Sequence, residues 1–276
     1  MQDKKDNLGN RMKAYESQST FQKLSHLTPI VARLDGRSFH TFTAGLKRPY
    51  DEGLSNLMAA TTKYLVQATN ANLGYTQSDE ISLIWVNQEE KVEREIFFDG
   101  KVFKMQSLLA AMCSVYFNKH LAKHLPEKAA QIVNDPMFDC RVFSVPTLTE
   151  ATNYLYWREK DATKNSISMA AQSVYSHNAL HGKNSSDKQE MLYAKGINWN
   201  NYPDFFKKGT YFYKRSVSRP YSIEELDKLP AKHLARNNPE LVILRQEVVP
   251  LVMPPLSRIG NRVDVLFKGQ EPISKS

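Results

Sequence analysis

The run Pro29-Ile30-Val31-Ala32-Arg33-Leu34-Asp35-Gly36-Arg37-Ser38-Phe39-His40 decides how the chain is read. Ile30 to Leu34 form a short apolar strand that ends in an acid, with a glycine directly behind it and arginines on both sides. A carboxylate at a strand end is held rigidly, and a following glycine lets backbone approach a ligand closely. The second informative run is Gly74-Tyr75-Thr76-Gln77-Ser78-Asp79-Glu80-Ile81-Ser82-Leu83-Ile84-Trp85, which places Asp79 and Glu80 at a turn between two strand-like segments. Two acids presented from two strands suit a pair of hard cations and a nucleoside triphosphate. Spacing alone leaves a plainer alternative open, a strand-end turn former and an ordinary polar hairpin tip.

Working outward, helical spacing covers 3–22, 52–70 and 101–125, the last being the longest regular apolar pattern in the chain. Strand patterns cover Pro29 to Arg37, Leu73 to Gln77, Ile81 to Val86 and Phe138 to Val145. Residues 38–51 read as a loop, and 87–95 as a charged loop. The order over 29–146 is strand, helix, strand, strand, helix, strand. That is the βαββαβ ferredoxin-like arrangement, an α+β fold with an antiparallel sheet and helices on one face, found in polymerase palms and in many plain binding domains. Beyond Pro146 the pattern predicts helices over 149–158 and 165–180, a short helix over 187–195, an aromatic strand at Tyr211 to Arg215, polar connections over 216–239 and a β-branched run at 241–252. The expected organisation is a catalytic palm over 1–148 with an N-terminal helix, and a mainly helical, RNA-contacting region over 149–276.

Composition narrows the class. The 276 residues hold enough apolar sequence, 41%, for a sizeable core. No uninterrupted apolar run approaches membrane-spanning length, and the first residues lack the apolar segment of a secretory signal. Cys113 and Cys140 lie apart in apolar segments and read as reduced core residues, so a cytoplasmic location is expected. A formal charge of +8 is compatible with a polyanionic partner.

Several motifs then agree in order and spacing. Leu34-Asp35-Gly36-Arg37-Ser38-Phe39-His40, Ser78-Asp79-Glu80, Phe138-Asp139 before Arg141-Val142, and Trp157-Arg158 come first. Ser186-Asp187-Lys188-Gln189-Glu190, Gly196 to Asn201 and Lys208-Gly209-Thr210 follow. Together they resemble the tRNA-histidine guanylyltransferases and their bacterial, archaeal and viral relatives, the guanylyltransferase-like 3′–5′ polymerases, over roughly residues 29 to 215.

The resemblance implies that Asp35 and Asp79 are the catalytic carboxylates and, with the Gly36 carbonyl, hold two Mg²⁺ ions. It implies a reaction in which ATP or GTP activates an RNA 5′-phosphate and the 3′-hydroxyl of an incoming GTP or other nucleoside triphosphate attacks it. Gly36, Arg37, Ser38, Phe39, His40, Arg48, Ser78, Lys101 and Lys104 match nucleotide-binding positions, with Arg48 standing where the family usually has lysine. Arg158, Asn165, Lys188, Asn198 and Lys208 match RNA-contacting ones. Glu80 and Asp139 read as supporting acids. The partners implied are tRNA and nucleoside triphosphates, in a homotetramer with no membrane attachment. One departure stands out. Thr163 occupies the place of a histidine that supports anticodon recognition in the eukaryotic enzymes, and only Asn165 of that run is kept. This favours the branch that repairs truncated tRNA 5′ ends by template-dependent addition. The alternatives are a palm-type nucleotidyl cyclase, a conventional polymerase, or a non-catalytic RNA-binding ferredoxin-like module.

Overall fold

The computed structural model describes residues 7–87, 96–238 and 240–275. Most of the charged loop expected over 87–95 and the start of the N-terminal helix lie outside the described residues. The chain runs through α1 (Asn7–Thr20), β1 (Ile30–Gly36), α2 (Phe39–Phe42), α3 (Glu52–Thr69), β2 (Leu73–Gln77), β3 (Glu80–Trp85), α4 (Val102–His124), α5 (Pro126–Ala129) and β4 (Phe138–Ser144). It continues with α6 (Leu148–Gln172), α7 (His177–Leu180), α8 (Ser185–Ala194), α9 (Asp204–Lys208), β5 (Thr210–Pro220), α10 (Ile223–Lys228), α11 (Leu234–Asn237), β6 (Val242–Pro250) and α12 (Arg262–Lys268). All strands join one antiparallel sheet in the order β4-β1-β3-β2-β5-β6. Its first four strands, with α3 and α4, are the ferredoxin-like unit that the sequence order predicts.

Period-two alternation sorts each strand onto two cores. Ile30, Ala32, Leu34, Ile81, Leu83 and Trp85 face α3 and α4, where they meet Leu57, Leu65, Met105, Leu109 and Phe117. Full burial of such a side chain contributes about 1.5–3 kcal/mol before ordering costs. Val31, Leu73, Tyr75, Ile84 and Val86 face the other way, against Ala151 and Leu155 of α6 and Leu256, Val265 and Leu266 near the C-terminus. Caps fix where the helices begin. The Asp51 carboxylate accepts from the Leu54 N–H at 3.1 Å to start α3, and the Thr147 hydroxyl accepts from the Glu150 N–H at 3.1 Å to start α6.

Three departures from the sequence pattern have physical causes. The predicted helices over 149–158 and 165–180 are mostly one helix, α6, because no Gly or Pro interrupts 158–165 and buried positions continue through Ala162, Ser166 and Ala170. The stretch expected as a loop after Ser38 begins with α2, whose Phe39 is anchored in the core. The aromatic strand at Tyr211 runs on to Pro220 despite its polar sequence. It does so because β6 pairs along its length and Arg219 bonds to Glu225 and Glu247, both at 2.7 Å. The second half is therefore not only helical: β5 and β6 extend the sheet beyond β2.

Candidate active site

The α6-side face of the sheet changes character at the end where β1 stops. Val31 is apolar, but the next positions on that face are Arg33 and Asp35, and on β3 they are Ser82 and Glu80. Asp35 lies opposite Glu80 on one neighbour and opposite Asp139 on the other. Asp79 sits in the β2–β3 turn, which closes through Ser78 with φ of 49° in the left-handed region. The Gly36 N–H donates to the Asp79 carbonyl at 3.2 Å, tying that turn to the end of β1. The two acids nominated from sequence thus meet at one strand end. Burial pushes the Asp79 carboxyl above its ordinary range, and the Asp35 charge adds to the rise. Asp35 is likewise raised, by burial first and then by Asp139. Arg33 and Arg158 offset part of the Asp35 rise, whereas hydrogen bonds alone oppose that of Asp79.

This donor set fits Mg²⁺, which is commonly held by one or two carboxylates while keeping waters and substrate phosphates as its other ligands. Among the described residues no group of three or more His, Cys, Asp or Glu forms a closed metal cage. A site of two carboxylates and a backbone carbonyl is of the open kind.

Glu80 has a different task. Its carboxylate accepts from Arg158 Nε at 2.7 Å and from Nη2 at 2.5 Å, and Arg158 also reaches Asp161 at 3.1 Å. The guanidinium lies 4.4 Å from the Trp157 ring, and Tyr154 and Ser82 share a hydrogen bond of 2.9 Å beside it. Arg158 is therefore a buried strut between α6 and β3, and the expectation that it contacts RNA is corrected. Its side chain is only 7% exposed and its donors are engaged by acids.

The Phe39 side chain belongs to the scaffold. Its ring is buried among Phe42, Phe117 and Phe138, with centroids 5.0, 5.6 and 5.0 Å away. That packing explains Gly36 in a way the sequence did not suggest, since a Cβ there would stand 2.2 Å from the Phe39 ring. Arg37, Ser38 and His40 are exposed on the segment leaving β1.

Lys101 and Lys104 are not brought to the acids. They begin α4 at the far end of the sheet, whereas the helix reaches the level of β4's start only at Ser114, which accepts from the Phe138 N–H at 3.1 Å. Thirteen residues of helix separate Lys101 from that level by about 20 Å. Asp35 also points to the opposite face of the sheet, so a ligand on Asp35 and Asp79 lies beyond the reach of either lysine of the same chain.

Arg48, Ser78 and Asn165 do come together, around a cavity of about 240 Å³ beside the acids. Tyr50, Phe205 and Phe206 form part of its wall, with ring centroids 5.2 and 4.9 Å from Tyr50, and Gln77 lines it from the end of β2. The sequence reading missed Tyr50, Gln77 and the phenylalanine pair. Position alone offered one signal, since Gln77 and Tyr50 flank nominated residues by one or two places.

Of the other residues matched to RNA contact, Lys188 donates to the Ser168 hydroxyl at 3.0 Å, and the Asn198 side chain accepts from the Asn200 N–H at 2.9 Å. Lys208 is corrected as a free RNA-binding cation. Its ammonium bonds to the Met253 carbonyl and lies 3.1 Å from Asp204, with 11% of the side chain exposed. Cys113 and Cys140 are both free, and among the described residues no helix is long and apolar enough to cross a membrane.

Comparison with known proteins decides the lineage. Residues 9–146 match the family model for tRNA(His) guanylyltransferase, and residues 149–249 match that for the Thg1 C-terminal domain. The chain belongs to the tRNA(His) guanylyltransferase family. It is thereby a nucleotidyltransferase. A bacterial Thg1-like protein solved in complex with ATP is 37% identical, with a TM-score of 0.69 over 76% of this chain and 87% of its own. A bacterial Thg1-like structure in complex with GTP is 31% identical, with a TM-score of 0.69 over 91% of this chain and 94% of its own. The tRNA(His) guanylyltransferase of Saccharomyces cerevisiae is 32% identical over 196 residues, covering 66% of this chain and 80% of the relative. The two family models abut at the start of α6, while the sheet itself runs across that point through β5 and β6.

Proposed function

We propose that this protein is a Mg²⁺-dependent 3′–5′ nucleotidyltransferase that adds nucleotides, typically G, to the 5′ end of tRNA, in template-dependent repair. The observation that carries this reading is the convergence of Asp35 and Asp79 at one strand end beside a cavity with aromatic and amide walls. Asp35, Asp79 and the Gly36 carbonyl would hold Mg²⁺, which when bound supplies positive charge to a triphosphate and to an attacking oxygen. The chain's own groups do the positioning. Ser78 joins the cavity to Asp79, so a base seated in the cavity leaves its phosphates toward the carboxylates. Arg48 at the cavity, and the exposed Arg37, Ser38 and His40 beside Asp35, present donors to phosphate oxygens. Phosphoryl transfer rests on such positioning and charge more than on a covalent nucleophile.

The ATP and GTP complexes of bacterial relatives support nucleotide use here, with either as the activating nucleotide. The repair reading is supported by Thr163, whose hydroxyl turns inward to the Glu159 and Lys207 carbonyls at 3.0 and 3.1 Å and offers no imidazole to an anticodon. The lysines and asparagines of the second half, Lys188 and Asn198 among them, are the proposed tRNA side, with the exposed Asn165 at the cavity itself. A homotetramer in the cytoplasm completes the proposal, and sedimentation analysis tests the assembly.

The deciding assay uses tRNAs lacking the 5′-terminal nucleotide, with several anticodons, together with Mg²⁺, ATP and labelled nucleoside triphosphates. Incorporation at the 5′ end that follows the opposing template base, regardless of anticodon, is the expected result. Incorporation confined to tRNA(His) would refute the repair role, and none with any RNA would refute the polymerase reading.

A further inference from the structure

Gln77 is the odd member of its strand. It is 9% exposed, closes β2 on the α6 side of the sheet, and lines the cavity that holds Arg48, Ser78 and Asn165. Its backbone belongs to the ladder opposite Glu80. Its side-chain amide, however, makes no hydrogen bond to any described residue. On this face Glu80 is engaged by Arg158 and Ser82 by Tyr154. An amide without a protein partner at a cavity wall is free to pair with a ligand or with water. At about 240 Å³ the cavity is smaller than the roughly 300–1,000 Å³ of a typical small-molecule pocket, and its aromatic wall suits one planar ring system. Gln77 stands two residues from Asp79, at most about 7 Å away along the chain.

We propose that Gln77 reads the six-position edge of a purine in this cavity, and that it accepts guanine and adenine alike. An amide pairs its NH₂ and its oxygen with guanine O6 and N1–H, or, turned over, with adenine N1 and the 6-amino group. A neighbour bonded to the amide would fix one orientation and so select one purine. No described residue fixes it, so the amide turns to suit the base. Gln77 is thus a specificity-determining residue that selects purine edges while leaving the G-against-A choice to other features of the reaction. This inference rests on the nucleotide-binding reading above.

The test separates the two. Equilibrium binding is measured for the full chain with ATP against purine riboside triphosphate, which lacks the 6-amino group, and with GTP against 2-aminopurine riboside triphosphate, which lacks O6 and N1–H. The expected result is a three- to tenfold preference for the natural member of each pair, about the worth of one hydrogen bond. Gln77→Met, which keeps the volume without the amide, levels both pairs. The wild-type arm needs no variant to fold. Equal binding of all four nucleotides by the wild type, or discrimination that persists in Gln77→Met, overturns the role of Gln77 and leaves nucleotide binding standing. No binding of any of the four by the wild type removes the nucleotide reading, and this inference with it.

Discussion

The two faces of one sheet behave as different materials. The same strands send Ile30, Ala32, Leu34, Ile81 and Leu83 into a dry core under α3 and α4, and Arg33, Asp35, Glu80 and Ser82 into the layer beneath α6. The first face is governed by volume and area, and charge has no part in it. On the second face, apolar packing holds the half of the sheet far from the acids, and ion pairing holds the rest beside carboxylates whose charge is disfavoured by burial. A period of two lets one strand do both jobs, because adjacent residues answer to different neighbours. Stability and function are thereby separated by the direction of a side chain, within single strands.

The contrast can be broken at its strongest point first. Asp35→Ala and Asp79→Ala should each lower 5′-end nucleotide addition by at least on the order of 10²–10³-fold, the scale at which single charge-stabilising groups act. Neither variant should have a denaturation midpoint below that of the wild type. A rate within tenfold of wild type in single-turnover labelling would remove that residue from the catalytic centre. Next in size, Arg158→Leu leaves Glu80 buried without its partner and should cost about 3–5 kcal/mol in denaturant unfolding. Replacing Glu80 by Leu as well should recover much of the loss, and a double variant as unstable as the single would show that Arg158 stabilises by packing alone.

On the dry face, Leu109→Ala should cost about 2–5 kcal/mol through lost burial and a residual cavity. Its nucleotide affinity under native conditions should be unchanged. A selective loss of affinity would mean that the faces are coupled more tightly than their separation suggests. The smallest effect is in the pH dependence of the metal-free protein. Burial and Asp35 raise the Asp79 carboxyl above its ordinary 3.8, so the folded state binds that proton more tightly than the unfolded state does. The favourable contribution is complete below about that value and is lost as pH rises through the folded pKa. Asp79→Asn should therefore melt higher than wild type near pH 7 in chelator, by a few degrees. The gap should close near pH 3–4 or when Mg²⁺ is added. An equal melting temperature for the two proteins at pH 7 would contradict the uncompensated-acid reading.

Much of this was legible in the chain. Alternating apolar runs and helical spacing put β1 to β4, α3 and α4 in their places, because those elements are specified by local periodicity and closed by local caps such as Asp51. The strand-end Asp35 and the turn acid Asp79 were legible for the same reason: their position follows from where strands stop. Arg158 and Lys208 were read as RNA contacts, and both side chains are engaged inside the fold. Motif position records which residues accompany a site without recording whether a side chain touches ligand or holds the scaffold. That Lys101 and Lys104 lie about 20 Å of helix away from the acids of their own chain is invisible in a motif's spacing. The continuation of β5 to Pro220 was hidden by polar sequence, since its partner strand lies more than twenty residues further along the chain.

The sequence by itself determined that two acids end up on neighbouring strand ends in a ferredoxin-like unit, because periodicity and turn chemistry are local. Only the tertiary structure decided what surrounds them. It set Asp139 beside Asp35, buried Arg158 against Glu80, required glycine at position 36 by placing the Phe39 ring over it, and left the Gln77 amide facing a cavity. Those outcomes depend on contacts between residues far apart in sequence, where burial and pairing are settled by packing and not by propensity.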